Sequence, residues 1–434
     1  MSDDRRLKFD VYRIYLTMQF ALGTMLGLIY TTVAVYLVEV AGLNPLQLVL
    51  VGTAMEAAYF AFQLPTGVLA DAVSRRACIV AGIGSIGLGC AVEGLSPRFG
   101  WILLAQVVVA LGFSLLNGAE EAWVAAELGT ERLTRVYLRG SQAGLVGTLC
   151  GTAASAAVAS AALNLPLLVG GAGLVLLAAT LALVMPERAR RSEVRRKLRS
   201  ELSAGTGTIW RHIRVSPVFL LVFGVVAALG SWSEGLDRLW GAHLLADYPL
   251  PTVGGLSPVT WFSILSVAAT LLGLAATHLV DARVGEAGSV STLRLLLGMV
   301  TAMSLATMVF ALAGSFTLTI TAYLVAAALR LVYTPVLNAW LAKRTDESVR
   351  ATMLSAKDMF DSGGQILGGP VIGVVGAVAS VRAALVAAAV VLAPAGGLLL
   401  LALRRLRTAP PGSAQAVLRA DETGLVTPGD APPP

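Results

Sequence analysis

The sequence predicts an all-α membrane protein: twelve transmembrane helices arranged as two parallel-related six-helix bundles. Three observations carry this. Apolar residues gather into runs of membrane length, positive charge falls almost wholly on alternate connections, and the second half repeats landmarks of the first.

The runs come first. Of the 434 residues, 56% are hydrophobic and 13% are charged, whereas a soluble domain carries about 25% charged residues. The mean hydropathy is +0.77. A membrane span needs about 20 predominantly apolar residues. Twelve stretches meet that need, at roughly 14–38, 45–69, 77–96, 101–128, 136–162, 166–185, 217–245, 259–280, 293–313, 317–341, 351–378 and 381–404. Lipid satisfies no backbone polar group, so spans of this kind must be helical. Arg5, Arg6 and Lys8 precede a first span too long for a cleaved signal, which predicts an uncleaved insertion signal.

Charge then sets the topology. Of 32 Lys and Arg, Arg238, Arg330 and Lys357 fall within spans and Arg98 and Arg382 fall on one side, which leaves 27 on the other. Excess positive charge marks cytoplasmic loops. Both termini are therefore expected inside, in a multi-pass protein of the plasma membrane. The basic residues are spread over membrane loops, so the net charge of +6 does not suggest a nucleic-acid partner.

The organisation along the chain is bipartite. A basic connection, RARRSEVRRKLRSEL and then TIWRHIRVSP, divides the spans six and six and reads as a surface helix beside anionic lipid. This gives an amino-terminal bundle over 1–186, a linker over 187–216, a carboxyl-terminal bundle over 217–406 and a tail over 407–434 expected to be disordered. Ala122-Trp123 near the end of the fourth span echoes Ala339-Trp340 near the end of the tenth, and Arg135 echoes Arg350 at the start of the fifth and eleventh. Parallel repeats of this kind relate the halves of some transporters.

One connection carries a motif. Between the second and third spans stands Gly67-Val68-Leu69-Ala70-Asp71-Ala72-Val73-Ser74-Arg75-Arg76. It resembles the loop signature of the major facilitator superfamily, roughly G-x-L-A-D-[RK]-x-G-[RK]-[RK]. Gly67, Leu69, Ala70, Asp71, Arg75 and Arg76 match, while Ala72 and Ser74 depart from the basic residue and the glycine. A worn counterpart, Leu279-Val280-Asp281-Ala282-Arg283, follows the eighth span. The resemblance implies a substrate site between the halves and alternating access by rocking of the two bundles. It also implies an inner latch, in which Asp71 meets the start of the eleventh helix and Arg75, beside Arg76, meets an acid mapped onto Glu127. The same residues read without the resemblance are topology-setting charge at a tight turn.

Charge at bilayer depth costs on the order of 2.5–3.5 kcal/mol and persists where it faces a partner or a watery cavity. The candidate cavity and proton-coupling residues are Glu56 in the second span; Asn117, Glu120 and Glu121 in the fourth; Glu234, Asp237 and Arg238 in the seventh; Arg330 in the tenth; and Asp361 in the eleventh. The third, sixth, ninth and twelfth spans carry no charge away from their ends and are expected to face lipid. Glu234 and Arg238 share a helical face and can pair. Arg330 can neutralise Asp237 or Glu234 across the cavity, or bind an anionic group. Trp232 and Trp240 offer flat surface for a ligand, and His243 reads as an interfacial residue at the outer mouth. In the eleventh span, Lys357 can pair with Asp361, and Gly363, Gly364, Gly368, Gly369 and Pro370 suit either a gating helix or a packing seam.

The resulting functional expectation is a secondary transporter of a small organic solute. Proton-coupled export is favoured because acids outnumber bases at depth. Uptake by the same fold and a transport-inactive scaffold are the alternatives. The fifth span has Gly140, Gly144, Gly147 and Gly151 but not the Gly-Pro of the family's antiporter motif. No phosphate-binding loop is present, and Cys78, Cys90 and Cys150 form neither a metal motif nor a disulfide framework. No enzyme activity, cofactor or metal is expected. The partners are solute, protons and lipid, with the chain a monomer.

Overall fold

The computed structural model describes residues 2–72, 74–128, 133–186, 217–248, 257–284, 288–345 and 347–408. Twelve long helices account for nearly all of them: α1 (Ser2–Val35), α2 (Pro45–Ala72), α3 (Arg75–Leu95), α4 (Phe99–Leu128), α5 (Leu133–Ala159), α6 (Leu165–Val184), α7 (Pro217–Asp247), α8 (Pro258–Val284), α9 (Ser289–Leu312), α10 (Phe316–Arg344), α11 (Glu347–Val378) and α12 (Val381–Thr408). The predicted linker over 187–216 lies outside the described residues, as does the tail beyond 408.

Two helices depart from regularity. The last turn of α1 widens into a π-helical segment, Tyr36–Val40. α4 breaks after Leu116, where Asn117 is extended and Gly118 has φ of +76°, a left-handed conformation that glycine adopts without a steric penalty. A second segment, Ala119–Leu128, completes α4.

Eleven of the helices are long and apolar enough to cross a membrane, and α11 is the exception among the twelve. Its first half carries Lys357, Asp358, Asp361 and Gln365. Lys357, Asp361 and Gln365 are partly buried where α11 packs against α7, α12 and α2, while Asp358 is exposed.

The helix pairings repeat with an offset of six. α1 packs along α5 and α6, and α7 packs along α11 and α12. α3 packs along α4 and α6, and α9 along α10 and α12. α2 packs on α4 as α8 packs on α10. The landmark tryptophans agree: Trp123 and Trp340 are both buried near the corresponding ends of α4 and α10. Large apolar side chains on α3, α6, α9 and α12 face outward, among them Leu88, Leu176, Leu305 and Leu400.

Between membrane helices, lipid tails are as apolar as leucine, so close packing supplies much of the association energy. The α1–α5 seam shows how. A β-carbon at Gly147 would overlap the Phe20 carbonyl, and one at Gly151 would overlap that of Thr24. The repeated seam, α7–α11, is built alike: Gly364 lies against the Ala227 carbonyl and Gly230 against that of Asp361.

The chain enters α1, α7 and α11 from the end that carries both termini, here called the terminal end. The opposite end is the far end. The two bundles meet mainly through α2 against α11 and α5 against α8. The described cross-bundle contacts lie from mid-depth to the far end. Gly376 touches Pro45, Gly373 touches Leu46, and Gly369 touches Thr53. Ser155 and Ser263 share a 3.2 Å hydrogen bond. An apolar cluster of Val35, Ala159, Val259 and Phe262, backed by Trp240 and Trp261, closes the far end from both bundles.

Candidate functional site

The site is built on the middle of α7. Glu234 and Arg238, one turn apart, form an ion pair at 3.2 Å. Glu234 is almost fully buried, so this charge is tolerated only with its partner. The pair is held from both bundles: Gly52 of α2, in the neighbouring bundle, sits against Glu234 Oε1 and Arg238 Nε, and Gly369 of α11, in its own, sits against Glu234 Cγ. Any side chain at Gly52 would occupy the space of that pair. It therefore belongs to the seam between the bundles and not to an open cavity.

Asp237 projects the other way. Arg330 Nη1 on α10 lies 2.7 and 2.6 Å from its two carboxylate oxygens. Of the two partners that the sequence allows Arg330, the structure selects Asp237. Its guanidinium also stands 5.9 Å from the Trp232 ring centre, within cation–π range. Trp232 is anchored in turn, its Nε1 donating to Thr307 Oγ1 at 2.9 Å.

A cavity of about 240 Å³ opens beside this arrangement, within the carboxyl-terminal bundle on the terminal-end side of the far-end seal. α7 lines it with Trp232 and Ser233, α10 with Arg330, Tyr333 and Thr334, and α11 with Lys357, Asp358 and Asp361. Lys357 Nζ lies 2.8 Å from Asp358 Oδ1 and donates to Asn338 Oδ1 at 3.2 Å. The pairing of Lys357 with Asp361 that the spacing allows is not the one formed. Instead, Asp361 Oδ2 accepts from Gln365 Nε2 at 2.9 Å. Across the bundle interface, Glu56 Oε2 accepts from Ser362 Oγ at 3.1 Å. Glu56, Asp237, Arg238, Arg330 and Asp361 thus share one central region, and Glu234 sits at its edge.

The fourth-span candidates stand apart. Asn117 Nδ2 donates to Tyr59 Oη at 2.7 Å, bracing the break in α4 against α2. Glu120 is half-buried beside Tyr15 of α1, while Glu121 is exposed and its carbonyl accepts from Tyr137 Oη at 3.0 Å. These acids lie toward the terminal end, in the other bundle from the cavity.

Only part of the latch region is described. Asp71 lies in the last turn of α2, but its side chain and those of Gly67–Ala70 fall outside the described residues, as does that of Arg350. Ser74 caps α3, accepting from the Ala77 amide, which gives this serine a role at the position where the motif has glycine. Arg75 Nη1 donates to the Ala122 carbonyl at 3.0 Å, and Arg76 Nη2 donates to the Ala182 carbonyl. These described bonds of Arg75 and Arg76 go to backbone oxygens on α4 and α6, not to Glu127. They tie the turn to its own bundle.

Trp240, expected to offer a face to a ligand, and His243, expected at the outer mouth, have other places. Trp240 stacks on Phe262 and Tyr323, with ring centres 4.5 and 4.7 Å apart, and serves the far-end seal. His243 is fully buried, its Nδ1 2.6 Å from Asp247 Oδ2 and its Nε2 3.0 Å from the Phe310 carbonyl. Asp247 also holds Arg382 at 3.0 Å, so this end of α7 is tied to α9 and α12.

One group was missed. Glu93 stands two residues from the far end of α3, where it reads as interfacial, yet it is buried. Its Oε2 accepts from Gln106 Nε2 of α4 at 3.0 Å, and the Tyr36 hydroxyl donates to its backbone carbonyl at 2.8 Å. Gln106, a lone amide in an apolar run, was the available signal.

Comparisons with known proteins agree on the family. The sequence profile of the Major Facilitator Superfamily matches residues 15–327. No curated protein sequence matches the chain. Among solved structures, a point mutant of the nucleoside transporter NupG is similar over 92% of this chain and 99% of its own, with a TM-score of 0.72 at 13% identity. A bacterial homologue of the human lysosomal transporter Spinster, inward-facing and unoccupied, is similar over 94% of this chain and 99% of its own, with a TM-score of 0.70 at 16% identity. A POT family transporter in complex with a thioalcohol-conjugated peptide is similar over 92% and 96%, with a TM-score of 0.69 at 13% identity. At these identities the likeness is one of fold. Together with the repeated six-helix pairing and the matched profile, it shows that this multi-pass membrane chain belongs to the Major Facilitator Superfamily.

Proposed function

We propose that the chain is a secondary transporter that exports a small organic solute in exchange for protons, by alternating access of a central site. The observation that carries this reading is the closure of the bundle interface at the far end among the described residues. Described contacts between bundles run from the far end to mid-depth, and the polar cavity lies on the terminal side of that seal. The strong bias of Lys and Arg toward the terminal end supports its assignment to the cytoplasm. The described state is then inward-facing, with the site ready to load from inside. Proton coupling is supported by the central charge inventory: Glu56, Glu234, Asp237, Asp358 and Asp361 face Arg238, Arg330 and Lys357. An excess of carboxylates at depth is a natural store for protons.

The test is flux in proteoliposomes of the full chain, with an internal pH dye and an imposed pH gradient. Solute leaving the cytoplasmic-equivalent side while protons enter supports export. Co-movement of solute and protons in one direction means uptake. Solute binding without flux in either direction means a scaffold.

A further inference from the structure

The central site discriminates by charge, and its free groups are all of one kind. Each cation already has a carboxylate. Arg330 is held by both oxygens of Asp237, Lys357 by Asp358 and the Asn338 amide, and Arg238 by Glu234. An anionic solute would meet cations whose charge is already offset by a carboxylate. Two carboxylates have no cation within ion-pair distance among the described residues. Asp361 has only the Gln365 amide, and Glu56 has only the Ser362 hydroxyl. They come from opposite bundles: Asp361 lines the cavity, and Glu56 reaches across the α2–α11 seam to Ser362, the next residue of α11.

A second, independent feature points to a ligand here. Tyr333 lines the cavity and is 5% exposed, yet among the described residues its hydroxyl has no hydrogen-bond partner. A buried, unpartnered hydroxyl costs about 1–3 kcal/mol unless something completes it. Trp232 supplies an aromatic wall beside it.

Resting on the transport reading above, we infer that the solute is an organic monocation: a protonated amine carrying an apolar or aromatic body and a hydrogen-bond acceptor. Asp361 binds the ammonium. Glu56 closes on it from the other bundle, and the Tyr333 hydroxyl donates to the acceptor. Contact with a carboxylate from each bundle makes the affinity depend on how the bundles are apposed, which a solute carried by rocking requires.

Two measurements test this on the full-length protein. The first is binding of isosteric probes, followed by thermal stability: 2-phenylethylamine, 2-phenylethanol and 3-phenylpropanoate, each extended to a panel of larger amines, alcohols and carboxylates. Amines bind at least tenfold tighter than their neutral and anionic isosteres. Asp361→Asn removes that preference, Asp361→Glu retains most of it, Glu56→Gln lowers amine affinity several-fold, and Tyr333→Phe lowers it about threefold for amines with an acceptor. The second needs no ligand. Thr334 lines the cavity and is exposed. In a Cys150→Ala background, Thr334→Cys is modified by a cationic methanethiosulfonate at least tenfold faster than by an anionic one, and Asp361→Asn brings the ratio toward one. Preference for carboxylates, absence of amine binding across the panel, amine binding untouched by Asp361→Asn, or a reagent ratio near one overturns the inference. Amine binding through Asp361 without flux would instead overturn the transport reading and keep the cation site. Flux of anions alone would do the reverse.

Discussion

The α1–α5 seam and its repeat, α7–α11, occupy equivalent places in the two bundles and use the same device to bring helices together, glycines against backbone carbonyls. They differ in what surrounds the glycines. Along α1–α5 the neighbours are uncharged, among them Tyr15, Gln19, Thr24 and Thr148; the Thr24 and Thr148 hydroxyls bond to carbonyls within their own helices, and Thr31 Oγ1 donates to Thr152 Oγ1 across the seam at 3.2 Å. Along α7–α11 stand Ser231, Glu234, Arg238 and Asp361, and the Ser231 hydroxyl bridges to the Gly364 carbonyl at 2.8 Å. One seam holds a bundle together. The other holds a bundle together and presents charge to the centre. Duplication of a scaffold therefore does not duplicate its chemistry, and among the described residues the charge beside the cavity is concentrated in the carboxyl-terminal bundle.

The comparison can be broken in several ways. The largest expected effect is from Arg238→Ala, which leaves Glu234 buried without its partner and should cost about 3–5 kcal/mol. Unfolding of the purified protein measures it. The double variant Glu234→Gln with Arg238→Gln should recover most of the loss, and failure to recover would mean that Arg238 matters through packing against Gly52. Next come the glycines. Gly147→Val and Gly364→Val each force a side chain into a facing backbone and should cost about 1–3 kcal/mol or more. Similar losses in thermal stability support a shared packing role, whereas a loss confined to one seam would refute it.

Arg330→Ala sharpens the contrast between stability and function. Its partner Asp237 is half-exposed, with 47% of the side chain accessible, so the loss in stability should stay at about 1 kcal/mol, as for exposed pairs. Transport should still fall at least tenfold, because a free Asp237 would compete for the cation. A large stability loss with normal flux would make the pair structural. The smallest effect is expected of Asn117→Ala in the amino-terminal bundle. It removes one hydrogen bond to Tyr59, about 0.5–1.5 kcal/mol, and should leave affinity for solute unchanged.

Much of this was legible in the sequence. Run length and charge bias revealed the helices, the landmark pairs at Trp123 and Trp340 revealed the repeat, and the four-residue spacing of Glu234 and Arg238 revealed their pair. What stayed hidden depends on azimuth and neighbours, which spacing along one helix does not set. Trp240 and Trp232 are eight residues apart on α7, yet one seals the far end and the other lines the cavity. Glu93 looked interfacial because it sits near a helix end, and it is interior because α4 brings Gln106 across it. Asp361 is distinguished from Asp358 by where Lys357 turns, and a run of three nearby charges gives no preference between the two.

The claim that recognition sits in the carboxyl-terminal bundle is tested most directly by one proteoliposome flux assay on two variants, using an amine selected by binding to the wild-type chain. Asp361→Asn should reduce amine flux at least tenfold, while Glu120→Gln, in the other bundle, should stay within about twofold of wild type. Loss of flux in Glu120→Gln with retention in Asp361→Asn would contradict the account and move the site to the amino-terminal bundle.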